Sequence, residues 1–71
     1  MNIDADIAQD MRSAEQAQCE LNLAMTEFHI AAKFGDWPRA EGARELALSH
    51  LEAHMDAVAR AWKRTEIARG G

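Results

Sequence analysis

Two apolar stripes lie on opposite sides of the first predicted helix of this chain. One stripe repeats every three or four residues, the period of a seam between packed helices. Its members are Ile7, Met11, Ala14, Gln18, Leu21, Met25, Phe28 and Ala32. The other stripe lies about 180° away on the helical wheel and consists of Cys19, Leu23, Ile30 and Phe34. A second helix covers only one of these sides, so the sequence predicts self-assembly.

The size of the chain favours the same conclusion. A domain of 71 residues with a single cysteine has no internal disulfide, and a core of this size alone supplies only about 3–5 kcal/mol of stability. A lone cysteine fits a reducing compartment. Because the sequence shows neither a basic-then-apolar leader nor a stretch of about 20 apolar residues, we expect a cytoplasmic protein without membrane contact.

The chain is rich in good helix formers, and its breakers cluster in the middle and at the C-terminus. Gly35 is suited to end a helix, Asp36 to cap the next one, and Pro38 to stand in its first turn. A connection this short places the two helices antiparallel. The predicted segments of the single domain 1–71 are helix one over about 4–34, a turn over 35–38 and helix two over about 39–69. The fold class is all-α, an antiparallel two-helix hairpin that dimerises into a four-helix bundle.

Helix two has an apolar seam of its own, which we expect to pack on helix one. Its residues are Leu48, Leu51, Met55, Val58 and Trp62. Dimerisation is then assigned to the second stripe of helix one, formed by Cys19, Leu23, Ile30 and Phe34. The first stripe stays open as the alternative, because both stripes are long enough to face a second copy. The far side of helix two carries small and basic residues, which form either an ordinary solvated surface or a docking face for a partner.

A partner-binding surface is predicted on that far side of helix two, together with the hairpin tip. Its residues are Trp37, His50, His54, Ala57, Arg60 and Arg64. Trp37 either closes the tip as a hydrophobic staple or anchors a partner protein. Arg60 and Arg64 belong to a locally basic end, which suits the helix dipole or, alternatively, a phosphate group.

No constellation for catalysis is recognisable in the sequence. His50 and His54 have the spacing of two metal ligands on a helix, but the remaining candidates, Cys19 and His29, lie at different azimuths on the other helix. We therefore expect no catalytic residues, no metal and no cofactor. The acidic balance, a net charge of −4, argues against a nucleic-acid partner.

Residues 44–53, with the sequence RELALSHLEA, are followed by Met55, Ala57 and Val58. This segment resembles the hairpin of small phage-encoded host-takeover proteins, above all the phage quorum-sensing anti-activator family. The resemblance implies a dimeric helical hairpin that is not an enzyme and that binds a host regulatory protein, such as a quorum-sensing transcription activator, in the host cytoplasm. Partner contacts in that family use aromatic residues near the start of helix two, where this chain aligns His50.

Two alternatives stay open. The same A-L-x-x-L-E rhythm resembles the phage sponge proteins that sequester cyclic nucleotides of anti-phage defence; this resemblance implies that Arg44, Arg60 and Arg64 meet phosphates while Trp37 or Trp62 stacks on a base. The other alternative is a small structural or assembly adaptor, for which growth beyond a dimer would be the sign.

Overall fold

The fold is a helical hairpin, seen here in a computed structural model that describes residues 3–70. Helix α1 spans Ile3–Lys33 and helix α2 spans Trp37–Ala68. The helices lie side by side in opposite directions, forming a rod 53 Å long and 17 by 14 Å across. Over the described range there are two helices and no strand. The prediction of an all-α hairpin is confirmed.

The turn is built by the residues that the sequence singled out. Gly35 has a φ of 74°, and its N–H donates to the carbonyl of Ala32 while the N–H of Asp36 donates to that of Ala31. This pair of bonds is the Schellman arrangement that ends a helix at a left-handed residue. The Asp36 carboxylate then accepts from the Arg39 N–H and caps α2. Helix α2 begins at Trp37, two residues before the predicted start, because the capping residue follows the glycine directly.

The contact between the helices is made by small residues, which we call the alanine seam. It consists of Ala14, Ala17, Ala24 and Ala31 from α1 and Ala40, Ala43, Ala57 and Ala61 from α2, all buried. Successive members are three, four, seven or fourteen residues apart, all of which fit the heptad period that keeps two helices in contact over their length. In the described part of the chain no larger apolar side chain is fully buried.

The predicted contact between the helices is wrong on both sides. On α2 the expected seam from Leu48 to Trp62 is 38–63% exposed. On α1 only Ala14 of the expected stripe is buried, whereas Gln18 and Met25 are exposed. Each helix is rotated so that a neighbouring row, the one carrying alanines, faces the other helix.

The physical reason is the size of the alanine side chain. A methyl group at each contact lets the two backbones approach closely, so many weak dispersion contacts form along the whole length. Leucine, methionine and tryptophan at the same positions would hold the helices apart. The periodicity of large apolar residues identified a face that is apolar, but not the face that makes this contact.

Glycine positions in the turn and in α2 predict opposite effects of the same substitution. Gly35→Ala forces an alanine to a positive φ and should lower the free energy of unfolding by about 1 kcal/mol. Gly42 lies inside α2 with open space around it, so Gly42→Ala should raise that free energy by about 0.5–1 kcal/mol. Urea denaturation followed by circular dichroism measures both; equal signs would contradict this account of the turn.

Overpacking tests the alanine seam. Ala57 is 1% exposed, so Ala57→Leu should destabilise the protein by about 1–3 kcal/mol because the added methylenes push α1 away. Ala53 is exposed on the same helix, and Ala53→Leu should change stability by less than about 0.5 kcal/mol. Thermal unfolding at one fixed protein concentration compares the two; a tolerant Ala57 would exclude a tight seam.

Candidate protein-binding surfaces

One long side of the hairpin is mostly apolar over the middle of its length, and we call it the apolar face. Its exposed residues are Met11 and Met25 of α1 and Leu48, Leu51, Met55, Val58 and Trp62 of α2. The α2 members keep the three-and-four spacing that places them on one flank of the helix. Met25 lines one groove together with Leu48 and Leu51, so this flank and the methionine flank of α1 lie on the same side of the rod.

Two shallow grooves mark the apolar face. The first lies between the helices, where Met25 and the half-buried Phe28 of α1 meet Leu48 and Leu51 of α2. The second runs along α2 from His54 to Trp62. Among the residues that line these grooves, Arg44 alone carries a full charge; it lines the first groove and is exposed. The face therefore offers apolar area and little that would select a charged ligand.

The opposite flank of α1 carries the residues that the sequence assigned to the dimer interface. Cys19, Leu23, Ile30 and Phe34 are all exposed there. Leu23 precedes Met25 by two residues and so points about 200° away from it. This second apolar strip stands among polar groups, because Glu27 of α1 pairs with Arg39 of α2 on the same side. Because a single copy shows these residues exposed and contains no second chain, their assignment to the dimer interface stays a prediction.

A cluster of ion pairs joins the two helices at the end of the hairpin opposite the turn, which we call the open end. Arg64 Nε donates to Asp10 Oδ2 at 2.7 Å and Arg64 Nη1 lies 3.4 Å from Asp6 Oδ2. Arg60 Nε lies 3.4 Å from Asp10 Oδ1. Asp10 is the one buried charged residue of the described chain, and the two guanidinium groups neutralise it.

The guanidinium of Arg64 is the main reason that the pKa of Asp10 lies below its ordinary value, since it hydrogen-bonds the ionised carboxylate. Burial works in the opposite direction, and the hydrogen bond and charge of Arg60 add to the lowering. The cluster thus favours the ionised carboxylate and ties the end of α2 to the first turns of α1.

The two histidines of the predicted partner surface lie at the interhelical contact instead of on an open face. His54 donates its Nδ1 proton to the carbonyl oxygen of Ala14 at 2.8 Å, across the alanine seam. His50 Nδ1 lies 3.1 Å from Glu20 Oε2. Both imidazoles are therefore engaged by α1, and each side chain is only half-exposed.

The remaining residues of that predicted surface are divided between the seam and the solvent. Ala57 is buried in the alanine seam, so its assignment to a docking face is wrong. Arg64 forms ion pairs with Asp6 and Asp10. Arg60 and Trp37 stay exposed. The structure does not bring the six residues into one accessible surface, because the sequence prediction placed the helix contact on the wrong side of α2.

The tip of the hairpin exposes two large aromatic side chains within four positions of the chain. Phe34 follows α1 directly and is 80% exposed, and Trp37 begins α2 and is 60% exposed. The sequence prediction gave Trp37 to the partner and Phe34 to the dimer. The hairpin turn between them is what places both at the same end of the rod.

Sequence reasoning missed the role of the alanines. Their spacing from Ala14 to Ala31 and from Ala40 to Ala61 was available in the sequence and would have pointed to the close contact. The same signal would have marked the flank of Leu48, Leu51 and Met55 as an outer face. Among the described residues no group of three potential metal ligands occurs. No helix in the described range is both long and apolar enough to cross a membrane.

Comparison of the chain with known proteins found no match. No protein-family model matches it, and no curated protein or solved structure is significantly similar.

Acid sensitivity follows from the lowered pKa of Asp10. A group whose pKa is lower in the folded state stabilises the protein above its ordinary pKa, near 3.8, and that contribution is lost as the pH falls through the lowered value. Asp10→Asn should therefore lower the unfolding temperature at pH 7, and its difference from wild type should shrink below about pH 4.

The matched control is Asp56→Asn, which removes an acid from an exposed site of α2. Its unfolding temperature should track that of the wild type across the same pH range. A difference at Asp10 that does not depend on pH would show that the cluster contributes packing and not charge.

Proposed function

We propose that this chain is a non-enzymatic protein-binding module that works as half of a four-helix bundle. The observation that carries this proposal is the distribution of apolar side chains: thirteen large ones are exposed in the described chain, while the fully buried core consists of alanines. Exposed apolar area on this scale is typical of a surface that another protein covers.

The finer form of the proposal is an inhibitor of phage origin that docks on a host regulatory protein, such as a quorum-sensing transcription activator, in the host cytoplasm. It is supported by the resemblance of residues 44–53 to the phage anti-activator family and by the hairpin that such a resemblance implies. The hairpin tip is its contact site. Phe34 and Trp37 are large aromatic residues, the type that dominates binding energy at protein interfaces.

Leu23 and Ile30 extend the tip surface along α1, since they precede Phe34 by eleven and four residues on one flank. The tip surface therefore consists of Phe34, Trp37, Ile30 and Leu23, all exposed. Of the partner residues predicted from the sequence, Trp37 is kept in this surface. Arg60 lies near the opposite end of the rod, beside Asp10.

The cyclic-nucleotide sponge is the weaker candidate. Two of the three arginines that it requires, Arg60 and Arg64, are paired with Asp10 and Asp6. A phosphate would have to compete with a buried carboxylate for them. Only Arg44 stands on the apolar face without an ion pair of this kind. A rise in unfolding temperature with micromolar cyclic dinucleotide would favour the sponge over the inhibitor.

A reporter assay tests the tip surface. The chain is co-produced in a bacterium with a quorum-sensing activator and a reporter gene that depends on it. We expect the wild type to lower reporter output and the double variant Phe34→Ala with Trp37→Ala to lose this effect by about tenfold or more, the loss expected when about 1.4 kcal/mol of binding energy is removed.

The matched control is Ile67→Ala, because Ile67 is a similarly exposed apolar residue at the other end of the rod. It should inhibit as the wild type does. Equal inhibition by all three proteins would reject the tip as the contact site, and no inhibition by the wild type would reject this class of regulator as the partner.

A further inference from the structure

We infer that the apolar face is the surface through which two copies of this chain pair, with the tip surface left free for a different protein. This inference rests on the self-association proposed above and assigns it to a face other than the flank of Cys19. The pairing partner is a second copy of the chain, joined face to face by a two-fold axis.

The exposed area indicates that such a partner is needed. The hairpin exposes 5315 Å² of accessible surface, whereas a compact folded protein of its 7.9 kDa exposes about 4,400 Å². The excess of about 900 Å² is close to the about 800 Å² that each partner buries in a stable protein interface. A single layer of two helices has a side without a covering layer, and a second hairpin supplies that layer.

The charge distribution selects the face. The grooves of the apolar face contain a single fully charged residue, the exposed Arg44, and a side chain of this length can keep its charged end in water while its stem is covered. The opposite side carries the pairs Glu27–Arg39 and Glu20–His50. Pairing two copies through the apolar face brings few like charges together, whereas pairing through the other side would desolvate the Glu27–Arg39 ion pair and the polar Glu20–His50 contact in both copies.

The spacing also fits a helical partner. Leu48, Leu51, Met55, Val58 and Trp62 repeat at three and four residues over residues 48–62, about half of α2. Such a straight seam is suited to a second long helix, as in four-helix bundles. Because the buried core of one hairpin is made of alanines, the bundle core would be formed by the large side chains of the two apolar faces.

Gln18 lies within this face, so a substitution at Gln18 tests whether the face is buried between two copies. It is exposed and stands seven residues from both Met11 and Met25, which places it on their flank of α1. Gln16 is exposed on the other flank, the one that carries Cys19 and Leu23. A leucine at either position does not disturb the alanine seam, so a change in association reports on which flank is buried between two copies.

Sedimentation equilibrium of the full chain tests the inference. We expect a wild-type dimer, a dissociation constant at least about tenfold lower for Gln18→Leu, and no such change for Gln16→Leu. The charge variant Leu48→Glu should raise the dissociation constant at least about tenfold, while Ser49→Glu, with the same added charge at the adjacent exposed residue, should leave it unchanged.

Chemical labelling of Cys19 tests the position of the interface without any substitution. Because it lies away from the apolar face and is exposed, a bulky maleimide should react with it in the dimer as fast as with an unhindered thiol, and the labelled protein should remain dimeric. Slow labelling, or labelling that dissociates the dimer, would overturn the assignment of the face.

The outcomes distinguish failure of the four-helix bundle from failure of the apolar face as its interface. A wild type that stays monomeric rejects the bundle itself. A dimer that is tightened by Gln16→Leu and not by Gln18→Leu keeps the bundle and overturns the apolar face as its interface. A dimer tightened by Gln18→Leu and weakened by Leu48→Glu supports the inference, and loss of association in a variant that retains helical circular dichroism excludes misfolding as the cause.

Discussion

The alanine seam is the contact on which the rest of this structure depends. Eight buried alanines let α1 and α2 approach closely along a rod of 53 Å, and in the described residues no large apolar side chain is fully buried in this contact. Every leucine, methionine and tryptophan of residues 3–70 is thereby left wholly or partly exposed. The hydrophobic effect, which dominates folding, is consequently only partly used within one copy.

Two kinds of polar contact hold the ends of the rod. At the closed end Gly35 and Asp36 complete the backbone hydrogen bonds of both helices, and at the open end Asp10 is held by Arg60 and Arg64. Between them His54 bridges the helices through the carbonyl of Ala14. These contacts set the register of α2 on α1, because each joins one defined level of α1 to one level of α2. The seam of identical methyl groups would specify that register only weakly.

The division of the surface follows from this geometry. The flank of Leu48 and Trp62 joins the methionine flank of α1 in one face of low charge, while the flank of Leu23 leads to the aromatic tip. A module with two separate apolar surfaces has one available for self-association and one for a foreign partner. The proposed function needs both, since a bundle that buried its only apolar surface would have little with which to bind anything else.

The sequence by itself determined the helices, the turn and the presence of more apolar surface than one hairpin can bury. These are local properties: helix formers, the glycine that tolerates a positive φ, the capping carboxylate and the period of the apolar residues all act within a few positions of the chain. Only the tertiary structure decided which row of each helix faces the other. That choice depends on how closely two backbones can approach, and it moved Ala57 and His54 into the contact while it left Leu48 and Trp62 outside.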